Sequence, residues 1–145
     1  MSTRTREVAA DPAKCWEVLA DGWLYPLWVV GATRMRDVDE DWPTVGSKLH
    51  HSVGVWPLVI DDYTEVVACE PQQRLTLRAR AWPAGEAHVD ILIEPMDDGR
   101  RTQIHIEEKA VAGPGRLVPA PVEDFLIDRR NEEALNRLAM LIEGR

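Results

Sequence analysis

From about residue 28 to residue 112 the chain alternates apolar and polar residues in short stretches, each broken by residues that turn a backbone. The breaks fall at Trp42-Pro43, Trp56-Pro57, Pro71-Gln72, Pro83-Ala84-Gly85 and Asp98-Gly99. Period-two alternation between such signals is the pattern of half-buried antiparallel strands. Residues two apart share a face, so each hairpin register tests whether neighbouring strands agree on which face is apolar. A two-residue turn at Asp98-Gly99 sets Ile93 opposite Ile104, Ile91 opposite Ile106 and Val89 opposite Glu108. A three-residue loop at Pro83-Ala84-Gly85, with Gly85 free to take positive φ, sets Ala79 opposite Val89 and Leu77 opposite Ile91. A tight turn at Pro71-Gln72 sets Val66 opposite Leu77 and Ala68 opposite Leu75. Turn chemistry alone selects these registers, and all three put apolar residues on one common face. The other face pairs charges: Arg78 lies between Glu65 and Asp90, and Arg74 lies opposite Glu94. Each such pair is worth only ~0.2–1 kcal/mol, so their agreement matters more than their energy.

The flanks are helical. After a first strand at 3–9, Asp11-Pro12 supplies an N-cap and a proline at the first helical position. Trp16, Leu19 and Trp23 follow at i, i+3, i+7, with Gly22 at the helix end and a second short helical turn near Trp23 to Leu27. The stretch 113–121 reads as a loop suited to gate an entrance, and a helix of about twenty residues then runs to Glu143. Leu135, Leu138 and Ile142 give that helix an apolar stripe, which becomes Asn131, Asp128 and Asp124 when extended backwards. Its second half is therefore written to pack a core, and its first half to border solvent or the polar end of a cavity.

With 145 residues the chain matches one domain, spanning 1–145, and can bury a real core. A net charge of −8 disfavours nucleic acid and anionic membrane as partners. The polar start and the absence of a long apolar run lead to the expectation of a cytoplasmic protein without stable membrane insertion. Cys15 and Cys69 form no metal or redox spacing and read as reduced thiols. Monomer and homodimer are both compatible with the sequence.

The order strand, short helices, six strands, long helix resembles the START-like or Bet v 1-like (SRPBCC) superfamily, and within it the bacterial polyketide cyclase/dehydrase branch. The stretches that carry the resemblance are Gly46 to Pro57, Ile60-Asp61-Asp62, Ala79 to Gly85, Glu108 with Ala110 to Pro114, and Arg129-Arg130-Asn131. It extends over essentially the whole chain. The resemblance implies an α+β helix-grip fold: a seven-stranded curved antiparallel sheet around a long C-terminal helix, with two short helices after the first strand. It also implies a cavity between sheet and helix, and it leaves the reaction open, since function resides in the site rather than the fold.

The polar candidates are His51, Asp62 and Glu108. Alternation puts His51 with Leu49 and Val53, and Asp62 with Ile60. A two-residue loop at Trp56-Pro57 places His51 and Asp62 opposite each other; the longer loop that proline favours places them diagonally. Glu108 interrupts the Ile104/Ile106 face and looks into the apolar interior, where a carboxylate has a raised pKa unless a partner ionises it. These three residues suit proton transfer, orientation of a ligand's polar groups, or hydrogen bonding to buried backbone. The walls of the cavity are Leu49, Val53, Ile60, Leu77, Val89, Ile91, Ile104 and Ile106, with Leu135 and Leu138 sealing one end. Asn131 meets either a ligand oxygen or the preceding loop, and Asp124 and Asp128 read as solvated acids near a helix N-terminus. Trp28, Trp56 and Trp82 are either core or a stacking wall for a flat ligand.

Several chemistries do not fit. His50 and His51 are strand neighbours facing opposite ways, and no HExxH, cysteine cluster, GxSxG elbow or phosphate-binding glycine pattern occurs. No metal, nucleotide or other cofactor is expected. Two functions remain: a module that binds a hydrophobic or amphipathic small molecule of lipid, polyketide or isoprenoid type, and a cyclase, aromatase or dehydratase that uses the cavity's polar residues to move protons. Amphipathic walls favour a ligand with a few oxygens.

Overall fold

The computed structural model describes residues 2–30, 32–53, 60–81, 85–112 and 119–144, with the side chains of 32, 33, 53, 60, 81, 112, 120, 123 and 124 outside the description. Strand β1 (Ser2–Val8) is followed by helix α1 (Pro12–Leu19), a 3-10 turn (Gly22–Leu24) and a one-turn helix α2 (Tyr25–Trp28). Strands β2 (Ala32–Val38), β3 (Lys48–Val53), β4 (Ile60–Glu70), β5 (Arg74–Ala81), β6 (Gly85–Met96) and β7 (Arg101–Ala112) precede helix α3 (Ala120–Glu143). They form one seven-stranded antiparallel sheet in the order β1-β7-β6-β5-β4-β3-β2. This is the helix-grip arrangement, a curved sheet with α3 packed along β1 and touching β7, α1 and α2.

The β6–β7 register is the expected one: Ile93 faces Ile104, Ile91 faces Ile106 and Val89 faces Glu108. The connection is a four-residue turn with Asp97, Asp98 and Gly99 at positive φ, rather than a two-residue one. Both lengths are even, so the faces are unchanged.

The β4–β5 connection differs. Glu70 pairs with Arg74, leaving a three-residue loop in which Gln72 takes φ 63°. An odd loop would invert the faces, and a β-bulge between Val66 and Ala68 inverts them back. Val66 therefore faces Leu77 as expected, whereas Leu75 lies opposite Cys69 and not Ala68.

In β5–β6, Ala81 pairs with Gly85, so the register lies two residues from the expected one: Ala79 faces Ala87 and Leu77 faces Val89. A two-residue slide preserves both faces but exchanges charge partners. Arg78 lies between Glu65 and His88 rather than Asp90. Arg74 grips Asp90 through Nε and Nη2, both at 2.8 Å, rather than meeting Glu94.

Asp11 caps α1, its carboxylate accepting from the Lys14 backbone N–H at 2.8 Å. The helix buries Cys15, Val18 and Leu19; of the expected stripe Leu19 is buried, Trp16 is half-buried and Trp23, beyond the helix end, is exposed. Gly22 serves a close approach: a Cβ there would lie 2.4 Å from the Leu49 side chain.

The core is the common face of the sheet closed by α3. Leu49, Leu75, Ile91, Ile104, Ile106, Leu138 and Ile142 are at most 2% exposed. Among the expected walls, Leu77 is also buried and Val89 is half-buried. Trp56, Trp82, the loop 113–118 and the side chains of Val53, Ile60 and Asp124 lie outside the described residues.

Candidate functional site

On the largely apolar inner face, β3, β4, β7 and the facing α3 contribute a belt of buried polar side chains. His51 on β3 and Thr64 on β4 project onto that face by alternation with Leu49 and Val66, and all four are buried. His51 Nε2 lies 2.8 Å from the Thr64 hydroxyl, which also contacts the Tyr25 hydroxyl at 3.3 Å. Tyr25 comes from α2, where Pro26 sits in the first turn and no side chain caps the helix. Its ring stacks on His51, with centroids 5.7 Å apart and planes at 22°, and Trp28 packs edge-on against it at 5.5 Å. Trp28 is thus a buried wall of this cluster.

Asp62 lies directly opposite His51, as the even-loop reading allowed, and not diagonally. Its carboxylate accepts from the Tyr63 backbone N–H at 2.9 Å and lies 3.6 Å from Arg80. Burial holds the His51 pKa below the ordinary histidine value; the Asp62 charge opposes this, while Arg36 and His50 add to it. Burial also pushes the Tyr25 phenol up, with Thr64 opposing and the nearby Glu108 charge adding to the rise. At neutral pH the pair is therefore a neutral imidazole beside a protonated phenol, so the ring carries one donor and one acceptor nitrogen.

Glu108 does look into the interior, with a side chain 7% exposed, and it is ion-paired with Arg130 of α3. That guanidinium gives the buried carboxylate a charged partner from across the interior. Asp128 is not simply solvated: it lies 3.1 Å from Arg4 and accepts from the Ser2 hydroxyl. Asn131, next along α3, is 5% exposed, and its Nδ2 has no hydrogen-bond partner among the described residues. The same holds for Nδ1 of His51.

Sequence reasoning selected His51, Asp62, Glu108 and Asn131 but not Tyr25, Thr64 or Arg130 as members of the belt. Thr64 was within reach of the alternation that found Asp62. Tyr25 carried no periodic signal, because a one-turn helix has too few residues to show one. Trp23 and Trp42 lie elsewhere, lining an open cleft of about 490 Å³ with Asp21, Asp39 and Glu40. No group of three or more histidine, cysteine or acidic residues is placed to hold a metal among the described residues. No described helix is long and apolar enough to cross a membrane.

The sheet, its grip on α3 and this inward polar belt define a helix-grip protein. Residues 2–143 match the family described as polyketide cyclase/dehydrase and lipid transport, and the chain belongs to that family. Among solved structures it is similar to a conserved protein from Geobacillus kaustophilus, at 16% identity and a TM-score of 0.74 over 98% of this chain and 94% of that one. It is also similar to a protein from Rhodobacter sphaeroides, at 21% identity and a TM-score of 0.73 over 98% and 91%. A START superfamily protein from Mycobacterium smegmatis matches at 19% identity and a TM-score of 0.67 over 99% and 94%. No curated protein matches.

Proposed function

We propose that the protein binds an amphipathic small molecule between the inner sheet face and the first half of α3, with the ligand's oxygen atoms held by His51 and Asn131. One observation carries this reading: His51 Nδ1 and Asn131 Nδ2 are buried and have no hydrogen-bond partner among the described residues. A buried polar atom without a partner costs about 1–3 kcal/mol, so each of these favours a ligand that satisfies it. The apolar neighbours Leu49, Ile91 and Ile106 suit the hydrocarbon body of such a molecule. Family membership agrees, since its description includes both cyclase/dehydrase activity and lipid transport.

Native mass spectrometry of protein purified from its own host tests this directly. The expected result is a retained molecule with an apolar skeleton and at least one oxygen, lost in Asn131→Leu. A bare polypeptide mass, with no oxygenated apolar compound displacing a polarity-sensitive dye, would sink the reading. A second reading, a cyclase or dehydratase, is favoured by the Tyr25–Thr64–His51 hydrogen bonds, which offer a neutral acid–base group next to the same ligand.

A further inference from the structure

Thr64 occupies a position where valine would pack as well by shape. It is fully buried, and its hydroxyl is shared by His51 Nε2 at 2.8 Å and the Tyr25 hydroxyl at 3.3 Å. A threonine hydroxyl has one proton to give and lone pairs to receive, so it donates to one neighbour and accepts from the other. The chain Tyr25–Thr64–His51 therefore has two directions. In the first, Tyr25 donates to Thr64, Thr64 donates to Nε2, and Nδ1 carries the ring proton outward. In the second, Nε2–H donates to Thr64, Thr64 donates to Tyr25, and Nδ1 is an acceptor. Each arrangement holds one exchangeable proton on each residue. Conversion moves one proton between the ring nitrogens and turns two hydroxyls, so no net charge is created in the buried interior.

Resting on the ligand-binding reading above, we propose that Tyr25, Thr64 and His51 work as one reversible hydrogen-bond chain, with Thr64 as the positioning residue, that lets His51 Nδ1 receive either a carbonyl or a hydroxyl oxygen of the ligand. The ligand class that uses such a site is one whose recognised oxygen exists in both forms, as in a keto/enol pair. A carbonyl oxygen selects the first direction and a hydroxyl selects the second. The geometry favours coupling over independent action. The imidazole and phenol are stacked, and Trp28 packs edge-on against Tyr25, so the three rings brace one another. The unpartnered Nδ1 is the open end of the chain. The 2.8 Å bond is the stronger link, so the Thr64 hydroxyl follows the imidazole and the longer 3.3 Å contact to Tyr25 follows Thr64.

The test uses two probes built on one ring system, 2-acetylnaphthalene (carbonyl) and 2-naphthol (hydroxyl), with the nitrogen resonances of the His51 ring read by long-range proton–nitrogen NMR. The chain has four histidines, so His51→Gln assigns the signals. The expected result is that the proton sits on Nδ1 with the ketone and on Nε2 with the naphthol, while the Tyr25 ring resonances shift between the two complexes. Thr64→Val should abolish the Tyr25 response and weaken one probe relative to the other by about threefold to tenfold, the net worth of one hydrogen bond. Thr64→Ser should restore both. The same His51 tautomer with both probes, or an unchanged Tyr25 response in Thr64→Val, overturns the proposal. If neither probe binds, the ligand reading fails. The coupling is then judged in the free protein, where it is overturned if Thr64→Val leaves the His51 tautomer and the Tyr25 resonances as they were.

Discussion

The two halves of α3 do different work. The second half lays Ala134, Leu135, Leu138, Ala139 and Ile142 against the sheet, none more than 5% exposed. The first half leaves Val122, Phe125 and Leu126 at 50%, 58% and 59% exposure, and attaches by polar contacts instead. Asp128 reaches Ser2 and Arg4 on β1, and Arg130 reaches Glu108 on β7. One half is held by close packing, which tolerates no rearrangement, and the other by ion pairs that are partly screened by solvent. The candidate site lies at the changeover, at Asn131. A ligand next to the polar half displaces little packed surface, whereas one under the packed half would have to break the core.

The largest effect that tests this division is Leu138→Ala, which should cost about 2–5 kcal/mol in denaturant unfolding. Phe125→Ala, in the other half, should change stability by no more than about 0.5 kcal/mol. Equal costs would erase the distinction between the halves.

Arg130→Met leaves Glu108 buried without its cation. Because Arg130 is 41% exposed and solvent screens the pair, about 1–3 kcal/mol is expected, below the cost of breaking a fully buried ion pair. Adding Glu108→Gln should recover most of that loss in the same unfolding experiment. A double variant no better than Arg130→Met would mean that the guanidinium acts through packing and not through Glu108.

Asn131→Leu should leave stability unchanged or raise it by up to about 1 kcal/mol, because an unpartnered Nδ2 is replaced by an apolar group. A destabilisation beyond about 2 kcal/mol would show that Asn131 is part of the packed half.

The smallest effect is in pH. The folded protein resists protonating His51, while the unfolded chain takes the proton near 6.5. Between the lowered folded pKa and 6.5 the unfolded state holds more protons, so this contribution is complete above about 6.5 and is lost as pH falls below it. The groups that act on the ring are Asp62, which opposes the lowering, and Arg36 and His50, which add to it. Thermal unfolding between pH 7.5 and 5 should show the slope, and His51→Gln should flatten it; a slope unchanged by that substitution would place the titration elsewhere.

Much of the fold was legible because strand alternation has a period of two. The register of β5 against β6 moved by two residues and the turn at Asp97–Arg100 is two residues longer than expected, both even steps, so the inner face survived unforeseen details. The β4–β5 loop changed by an odd step, and a compensating bulge restored the face. Charge partners were less legible, since a two-residue slide leaves the face intact but moves Arg78 from Asp90 to His88. Alternation also brought His51 and Asp62 together on the inner face, and the stripe of α3 marked Asn131 as the point where packing gives way.

The sequence by itself determined which residues face inward, because that follows from backbone periodicity and the exclusion of apolar surface from water. Only the tertiary structure decided what those inward groups meet. Arg130 reaches Glu108 across a separation of 22 residues, and Tyr25 reaches Thr64 across 39. Those partnerships depend on where a one-turn helix and the first half of α3 come to rest against the sheet. Periodicity carries no information about such placements; packing of the whole core sets them.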